Sequence, residues 1–572
     1  MTAIDRPWLK FYGDVPHNLD YPDTTMYEEI AKNVISYPSN AALNFYGKIT
    51  TFKELVKGID TVAKALRAYQ IEPGDKVTIC MPNCPQAVMM FYALNKIGAI
   101  PNMVHPLSAE QEITFYVNFS KSVAVLTLDQ FVPKFESILQ DINVKHIIVA
   151  KIADELPAIK GIAYSLMNRK KVKPVKSHGV FVTWKEFIGK AKTVKEDFKA
   201  NTSGKDAAAI LYSGGTTGTT KGIVLSNLNF NALGLQTAAA SEVFEAGDKM
   251  LAIMPIFHGF GLGVCVHTVL MNGSTCILIP QFSIKDYPSQ LKQYKPNFIA
   301  GVPTLWEALL KSDKMDDVDL SCLKGIFSVG DSLSVELKRK VDIFLKEHGS
   351  DEQIREGFGL TECVTASCLT PRRYNREGSI GVPFPDTYYK IVKPYTHEEQ
   401  PYGEEGEIVI SGPTVMMEYM DNPKETHNCL QQHEDGMLWM HTGDIGYMDE
   451  DGFVYFKNRL KRMIVSSGYN IYPGQLGNII DEHEAVLYST CIGVRDSYKG
   501  QKIKAFVVLQ PGVPQSEETR NSIREHCKKR IAKYAMPYEF EFRNELPKTL
   551  VGKVAFNKLE QEEEEKLKQQ GK

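Results

Sequence analysis

The chain has 572 residues, which is too long for a single ordinary core and predicts three or four folding units of roughly 150 residues each. With 43% hydrophobic residues, 24% charged residues and a mean hydropathy of −0.22, it is predicted to be globular rather than disordered. Lysine and arginine number 66 against 69 aspartates and glutamates, a net charge of −3. The chain has no excess of positive charge with which to neutralise the phosphates of a polyanion, so no nucleic-acid partner is expected.

The cysteines and the apolar segments bear on the cellular compartment. Ten cysteines are scattered from Cys80 to Cys527 without a C-x-x-C pair, which argues against a disulfide framework and structural zinc and favours a reduced, cytoplasmic protein. Asp5 and Arg6 stand where a signal peptide needs an apolar run. Residues 250–284 contain no Asp, Glu, Lys or Arg, but prolines, glycines and histidines interrupt them. A buried helix followed by a strand is therefore favoured over a membrane span.

Short apolar runs alternate with amphipathic stretches over much of the chain. Runs such as KVTICM (76–81), AVLTL (124–128) and KHIIVA (145–150) predict buried strands with helices between them. This rhythm predicts an α/β fold with two doubly wound, mainly parallel sheets. After residue 378, glycine-punctuated pieces such as GEIVISG predict a small β-barrel, and a compact α+β segment follows Arg459. The terminal EQEEEEKLKQQGK is predicted to be a solvated, frayed helix.

A basic stretch at residues 151–176 ends in NRKKVKPVK. One interpretation is a solvated loop whose lysines keep it soluble. The other is a basic patch for anionic lipid or for the phosphates of a cofactor. The sequence leaves both open.

The strongest functional pattern is LYSGGTTGTTKG at residues 211–222, which follows a predicted strand. Glycines let backbone N–H groups close on a phosphate, hydroxyls donate to its oxygens, and a lysine offsets its charge. The spacing is not that of the common nucleoside triphosphatase P-loop, because no Gly-Lys-Ser/Thr follows where it is required. The pattern therefore predicts another kind of phosphate-binding loop, with the candidates Ser213, Gly214, Gly215, Thr216, Thr217, Gly218 and Lys221.

Five further motifs follow along the chain: MPIFHGFGLG (254–263), SVGDSL (328–333), GFGLTE (357–362), HTGDIGYMDEDGFVYFKNR (441–459) and PKTLVGK (547–553). With the loop, they resemble the motifs of the acyl-adenylate-forming enzymes, a family that includes acyl-CoA synthetases, firefly luciferase and the adenylation domains of peptide synthetases. The resemblance extends from Ala42 to Leu559. It implies that the Gly/Ser/Thr loop binds the β- and γ-phosphates of ATP. Thr220 stands where proline is common, which removes no donor.

The resemblance implies roles for the central motifs. Phe358, where tyrosine is common in the family, would stack on adenine, and Thr361 would bind the α-phosphate. Glu362 would hold Mg²⁺, with Thr217 as a second metal ligand. The remaining cofactor-binding candidates in these motifs are Gly330, Asp331, Ser332, Gly357 and Gly359.

The long motif before residue 460 implies a ribose site and a domain boundary. Asp444 would accept hydrogen bonds from both ribose hydroxyls, and the alternative is that it only caps a turn. Arg459 is expected to contact ribose or phosphate. Lys461 stands at the position of the family's interdomain hinge and is counted with the nucleotide-binding candidates. We therefore expect a domain for ATP and carboxylic acid over residues 1–460 and a mobile lid over residues 461–572.

Two candidates concern the reaction itself. The resemblance implies that Lys553 is the lysine of the adenylating half-reaction, where it stabilises the charge that builds on the α-phosphate. Without its motif, a lone lysine would be a solvated surface charge. His258 lies in a segment that resembles the acid pocket, where it either lines the pocket and takes part in catalysis or is a hydrogen-bonded core histidine. Three glycines of this segment are expected to leave room for an apolar chain.

The function implied by the resemblance is an ATP-dependent carboxylic acid:CoA ligase, with ATP, Mg²⁺ and CoA as its cofactors. It would form acyl-AMP and then an acyl-CoA thioester, because a carboxylate oxygen leaves only after activation. The charge-free segment favours a medium- or long-chain fatty acid, and an aryl or steroid acid stays open. Two alternatives remain: transfer to a carrier-protein thiol, and a catalytically inactive nucleotide-binding sensor. Peripheral membrane contact and the oligomeric state also stay open.

Overall fold

The structure, a computed structural model, describes residues 5–168, 175–213, 220–312, 314–462, 464–466, 469–471, 473–496, 500–549 and 553–569. Four β-sheets organise these residues: one of nine strands, one of eight and two of five. Within the same ranges, no helix has both the length and the apolar character needed to cross a membrane.

The strands of the two large sheets are β1 (Ala41–Phe45), β2 (Lys48–Thr51), β3 (Lys76–Cys80), β4 (Ile100–Met103), β5 (Ala124–Leu128), β6 (His146–Ala150), β7 (Phe181–Thr183), β8 (Ala207–Ser213), β9 (Lys221–Ser226), β10 (Lys249–Ala252), β11 (Thr275–Leu278), β12 (Phe298–Gly301), β13 (Gly325–Ser328), β14 (Ile354–Phe358), β15 (Cys368–Leu369) and β16 (Val382–Pro383), joined later by β19. The helices of this part are α1 (Met26–Ser36), α2 (Phe52–Ala68), α3 (Pro85–Lys96), α4 (Glu110–Phe119), α5 (Val132–Ser137), α6 (Ala158–Asn168), α7 (Trp184–Gly189), α8 (Asn227–Ser241), α9 (Val269–Met271), α10 (Tyr287–Tyr294), α11 (Pro303–Leu310) and α12 (Val335–Glu347). A π-helical segment spans Phe260–Thr268, and short 3₁₀ turns span Pro7–Phe11, Asp129–Phe131, Ile152–Glu155, Lys190–Thr193 and Thr361–Cys363.

The later strands are β17 (Tyr388–Val392), β18 (Gly406–Ser411), β19 (Glu418–Tyr419), β20 (Leu430–Gln432), β21 (Leu438–Met448), β22 (Val454–Arg459), β23 (Ile464–Ser466), β24 (Tyr469–Ile471), β25 (Val486–Asp496), β26 (Gly500–Leu509) and β27 (Glu539–Arg543). The later helices are α13 (Pro423–Cys429), α14 (Pro473–Asp481), α15 (Glu517–Lys528) and α16 (Phe556–Gln569), with 3₁₀ turns at Leu460–Arg462 and Lys533–Ala535.

The two large sheets confirm the predicted α/β fold. One has the strand order β16-β15-β14-β13-β12-β10-β11-β1-β2, and the other β19-β9-β8-β4-β3-β5-β6-β7. Their central strands are parallel, as in the pairing of β3 with β4 and with β5. All five residues of β5 are buried, which is typical of a parallel strand covered on both faces.

Helix α2 illustrates why the sequence forms these elements. Its start is fixed by Thr51 and Glu54, which form a capping box in which each side chain accepts from the other residue's backbone N–H. Its apolar residues recur at helical spacing and are buried: Phe52, Leu55, Ile59, Val62 and Leu66. This face packs against α3 in the main core.

The predicted small β-barrel is present as a half-barrel. Its antiparallel strands run in the order β17-β18-β21-β20, and β22 pairs with β21. The chain then passes from Arg459, at the end of β22, to Ile464, at the start of β23 in the last sheet. The division into two domains at residue 460 stays a prediction.

The last sheet, with α14, α15 and α16, forms the predicted α+β segment, and its charged end is a helix as predicted, but the expectation that this helix is only solvated is wrong. Leu559 on α16 is fully buried, and α16 packs on β25. The Oε1 atom of Glu563 lies 3.0 Å from Nζ of Lys504, and both side chains are almost completely buried. A buried ammonium group needs acidic partners, so α16 is a structural element rather than a solvated, frayed tail.

The charge-free segment contains β10, the π-helical segment, α9 and β11, as expected for a buried helix followed by a strand. Its glycines, however, do not leave room for a ligand. A Cβ atom at Gly259 would lie 1.7 Å from the carbonyl oxygen of Val364, and one at Gly261 would lie 2.1 Å from that of Pro255. Gly259 instead allows the segment to pack against the loop that follows Glu362, and Gly261 allows it to fold closely on its own turn at Pro255.

Candidate active site

The β8–β9 hairpin holds both ends of the Gly/Ser/Thr loop. Ser213 and Lys221 are directly opposite each other in the antiparallel pair. The other candidates of this loop lie outside the described residues: Gly214, Gly215, Thr216, Thr217 and Gly218.

A tyrosine connects the loop lysine with the candidate metal ligand. The Nζ atom of Lys221 lies 2.6 Å from Oε2 of Glu425 and 4.4 Å from the ring centroid of Tyr419. The hydroxyl of Tyr419 donates to Oε1 of Glu362 at 2.8 Å. Neither Tyr419 nor Glu425 was predicted, because Glu425 is 204 positions away from Lys221 and no local spacing marks the contact.

Asp444 is buried beside a cross-strand arginine. Its side chain is 1% exposed, and its Oδ1 atom lies 3.0 Å from Nε of Arg459, its partner in the β21–β22 ladder. Burial raises the pKa of Asp444 to about 6, although Arg459 opposes the shift. Among the described residues, Oδ1 accepts no hydrogen bond and no backbone N–H donates to the carboxylate, which argues against a mere turn cap. An unsatisfied buried oxygen is suited to a ligand hydroxyl.

Lys553 reaches the same region from the last domain. Gly330 has φ of +96°, and a Cβ atom there would lie 3.3 Å from Cε of Lys553. The backbone N–H of Val554 donates to Oδ2 of Asp331 at 3.3 Å. Burial lowers the pKa of Lys553, with Asp331 opposing the shift and Arg459 adding to it. The structure therefore brings Gly330, Asp331 and Lys553 together.

The aromatic motif forms a tight turn beside this region. Phe358 ends β14, and its ring centroid is 6.0 Å from that of Phe456, a residue not predicted to belong to the site. Thr361 is buried in the following turn. A Cβ atom at Gly359 would lie 2.2 Å from the carbonyl oxygen of Thr365, so only glycine permits this close approach. Gly357 is similarly constrained, because a Cβ atom there would lie 2.9 Å from the carbonyl oxygen of Cys368.

Ser332 and Lys461 make few described contacts at the candidate site, whereas the charge of Arg462 acts on it. The side chain of Ser332 is exposed, and its backbone N–H donates to Asp331. The backbone of Lys461 lies in the turn Leu460–Arg462, and its side chain is outside the description. Burial and the charge of Arg459 lower the pKa of Arg462, and the nearby acids Asp331, Glu560 and Asp444 oppose the shift. Arg462 was not predicted from the sequence.

His258 differs from the core histidine of the same segment. Burial lowers the pKa of His258 to about 3, and the charge of Lys553 adds to the shift. Its Nδ1 atom accepts from the backbone N–H of Phe260 at 3.2 Å. His267, in contrast, is fully buried, with its ring nitrogens on Tyr92 and Asn231 at 3.1 and 3.0 Å. His258, half-buried, is therefore the histidine of this segment that lies near Lys553.

Two buried acids lie where α14 packs against the body. Burial raises the pKa of Glu307, on α11, to about 7 and that of Asp481, at the end of α14, to about 8. The hydroxyl groups of Ser489 and of Ser334, which belongs to the body, oppose the shift in the pKa of Asp481, and the charge of Glu307 adds to it. This contact therefore favours protonated carboxyl groups.

Two wound sheets, a half-barrel and a small last domain that inserts a lysine define the class of adenylate-forming ligases. The chain belongs to the AMP-binding enzyme family: the family model described as AMP-binding enzyme matches residues 30–420, and the model of the AMP-binding enzyme C-terminal domain matches residues 476–553.

Individual relatives cover nearly the whole chain. A long-chain-fatty-acid–CoA ligase of Bacillus subtilis (strain 168) is 35% identical over 571 residues, with 98% of each chain covered. That of Haemophilus influenzae is 32% identical, with 98% of this chain and 99% of the relative covered. The crystal structure of an anthranilate CoA ligase in complex with anthranoyl-AMP has a TM-score of 0.81 at 23% identity, covering 96% of this chain and 98% of that one. ATP-bound MatB from Rhodopseudomonas palustris has a TM-score of 0.80 at 23% identity, covering 94% and 99%. These structures share the fold.

We expect Asp444→Ala to raise the KM for ATP roughly 10- to 100-fold, because each hydrogen bond to a charged group contributes about 1.5–3 kcal/mol. Steady-state kinetics with varied ATP measure this. The matched control is Glu450→Ala, an exposed acid in the turn that joins the same two strands. In the wild type, the KM should also rise as the pH falls through about 6, where Asp444 takes up a proton. An unchanged ATP dependence in folded Asp444→Ala protein would exclude the ribose role.

Proposed function

We propose that this chain is an ATP-dependent fatty acid:CoA ligase that forms an acyl-AMP intermediate, with a medium- or long-chain fatty acid as its substrate. The proposal is supported by relatives named long-chain-fatty-acid–CoA ligases that match it from end to end. The single observation that carries it is the insertion of Lys553 beside Gly330, with Asp331 and Asp444 among the charges that affect its pKa.

In the first half-reaction, a carboxylate oxygen of the acid attacks the α-phosphorus of ATP, and the bond to pyrophosphate breaks. Negative charge accumulates on the phosphoryl oxygens, and the ammonium group of Lys553 stabilises it while orienting the attacking carboxylate. Asp444 accepts from the ribose hydroxyls, and Arg459 holds Asp444 in place. Thr361 donates to the α-phosphate.

Mg²⁺ fits this arrangement of donors. Glu362 offers carboxylate oxygens, the ligand type that Mg²⁺ prefers, and Tyr419 bonds to Oε1 only. Glu362 would therefore hold the ion, together with phosphate oxygens. Bound there, Mg²⁺ offsets the charge of the phosphates.

The geometry of His258 suits recognition of the acid rather than proton transfer. With a pKa of about 3, its imidazole is neutral at neutral pH. Because Nδ1 accepts from Phe260, the ring proton is on Nε2. We infer that Nε2–H donates to a carboxylate oxygen of the fatty acid.

In the second half-reaction, the last domain rotates about Lys461 and removes Lys553 from the site. The thiol of CoA gives its proton to water, its sulfur attacks the acyl carbon, and the bond between that carbon and the phosphate oxygen breaks, so that AMP leaves with the oxygen. We expect the segment SSGYNIYP (466–473) then to face the thiol; its residues 467, 468 and 472 lie outside the described residues. A hinge at Lys461 stays a prediction.

The alternatives are separated by one assay. Pyrophosphate release and thioester formation are measured across fatty, aryl and steroid acids, with CoA, with a carrier protein and with neither acceptor. Thioester formation only with a carrier protein would favour the carrier alternative. Absence of pyrophosphate release with every acid would favour the inactive sensor, which the presence of Lys553, Glu362 and Asp444 argues against.

We expect Lys553→Ala to slow acyl-AMP formation by roughly two to three orders of magnitude, the usual cost of losing a preorganised charge at a developing anion. Thioester formation from pre-made acyl-AMP should stay within about threefold of the wild type, since the lysine has left the site by then. Single-turnover assays of each half-reaction measure both rates. Lys558→Ala, an exposed lysine of the same domain, is the control. Equal loss of both half-reactions would contradict the two-conformation mechanism.

The buried acids predict a pH effect on domain packing. If rotation exposes them, Glu307 and Asp481 regain ordinary pKa values near 4, so the packed state takes up protons. Packing should therefore weaken as the pH rises from about 4 to about 8, the pKa of Asp481 when packed, and then level off.

ATP–pyrophosphate exchange between pH 6 and 9 tests this with Asp481→Asn. The exchange rate of the variant should rise relative to that of the wild type as the pH rises towards 8, because the amide of the variant carries no charge to bury. Glu482→Gln, its exposed neighbour, should follow the wild type. A flat ratio of variant to wild type would show that Asp481 does not report on packing.

We also propose that this is a cytoplasmic protein that contacts anionic membranes through α6. Its apolar side chains lie on one face of the helix and are exposed: Ile159 (84%), Ile162 (65%), Leu166 (66%) and Met167 (81%). The sequence that follows, RKKVKPVK, carries five basic residues. Exposed apolar residues beside a basic segment are typical of a helix that lies on an anionic membrane, and fatty acids partition into membranes.

Co-sedimentation with vesicles tests this contact. The wild type should bind vesicles containing phosphatidylglycerol more strongly than phosphatidylcholine alone, and Ile162→Gln/Met167→Gln should bind at least about tenfold more weakly. Ile35→Gln, which changes an isoleucine that is 87% exposed on α1, is the control. Equal binding by the double variant and the control would rule out α6 as the contact.

A further inference from the structure

Three histidines, none of them a candidate active-site residue, meet on the half-barrel. The ligand atoms of His397, His433 and His441 all lie within 4.8 Å of one another. They come from three segments: the β17–β18 loop, the β20–β21 turn and β21. His433 is buried, His441 is half-buried and His397 is exposed.

Two of these imidazoles already have the separation of a chelating pair. The Nε2 atoms of His433 and His441 are 3.0 Å apart. Two nitrogens bound to one zinc ion at about 2.0–2.1 Å with a tetrahedral angle lie roughly 3.3 Å apart. A shift of only a few tenths of an ångström would therefore admit the ion.

Glu407 sets the orientation of His441. Its Oε2 atom lies 2.9 Å from Nδ1 of His441, so the ring proton is on Nδ1 and the lone pair of Nε2 points towards His433. Without a metal, Nε2–H of His433 donates to that lone pair. The Nδ1 atom of His433 is buried and has no hydrogen-bond partner in the described part of the chain. A metal ion would replace the single proton that joins the two rings.

The third histidine and the surrounding charges complete the site. His397 stacks on His433 with centroids 4.0 Å apart, and its Nε2 is 2.7 Å from Oε1 of Gln431. Since its ligand atom already lies within 4.8 Å of those of the other two histidines, His397 needs only a small side-chain movement to reach a shared ion. His397 and His433 line a cavity of about 780 Å³. Five carboxylates line it against one lysine, a balance that attracts cations: Asp5, Glu398, Glu399, Glu434 and Asp435 against Lys390.

We propose that His397, His433 and His441 form a binding site for one Zn²⁺ ion. Imidazole nitrogens without thiolates suit this ion better than Mg²⁺, and water would fill the fourth position. Glu407 is the positioning residue. It also accepts from the backbone N–H of Gly443 at 2.8 Å, so one carboxylate connects the metal site to the part of β21 that carries Asp444.

Calorimetric titration of the full-length protein, stripped with a chelator, tests the site with Zn²⁺ alone. We expect one equivalent to bind, and Co²⁺ in its place should give a visible spectrum without a thiolate charge-transfer band. His397→Ala should weaken binding by roughly tenfold or more and His433→Ala by at least as much. His427→Ala, an exposed histidine on α13 outside the cluster, should bind as the wild type does.

Circular dichroism and thermal unfolding check the fold of each variant. His397 is exposed, so His397→Ala keeps the test valid if His433→Ala unfolds. Wild-type affinity in folded His397→Ala protein, a thiolate band with Co²⁺, or no binding of Zn²⁺ by the wild type at micromolar concentration would each overturn the proposal.

Discussion

The candidate active site lies where the last domain meets the body, and several charged groups are buried there. The site depends on the balance between their positive and negative charges. A buried carboxylate such as Asp444 is costly unless positive charge lies close to it. Arg459 supplies that charge across the β21–β22 ladder, and Lys553 adds to it from the other domain. The register of the ladder decides this pairing, since a slip of one residue would turn Asp444 to the other face.

The same balance bears on the proposed rotation of the last domain. Burial lowers the pKa of Lys553 and raises the pKa values of Glu307 and Asp481. Packing of the last domain against the body therefore disfavours the charged forms of all three groups, and this cost limits how tightly the domain binds. We infer that a triphosphate in the site would favour packing by supplying negative charge to Lys553 and Arg459. Loss of pyrophosphate would remove part of that charge before the thiol step.

Local patterns predicted much of the fold and the candidate site, while contacts between distant segments were not predictable. Apolar runs such as β5 carry their own signal, and the motifs around Asp444 and Lys553 are contiguous. Tyr419 and Arg462 act through partners that only tertiary packing supplies. The three clustered histidines come from separate segments. The role of α16 was missed because the burial of Lys504, which requires Glu563, has no sequence pattern.

The most direct test is a crystal structure of the full chain with a non-hydrolysable acyl-adenylate analogue. We expect both ribose hydroxyls to lie about 2.6–3.0 Å from the carboxylate oxygens of Asp444. We also expect Nζ of Lys553 to lie about 2.7–3.2 Å from an oxygen of the acyl-phosphate linkage. A ribose bound elsewhere, with Asp444 still paired only with Arg459 and Lys553 directed into solvent, would contradict the proposed mechanism.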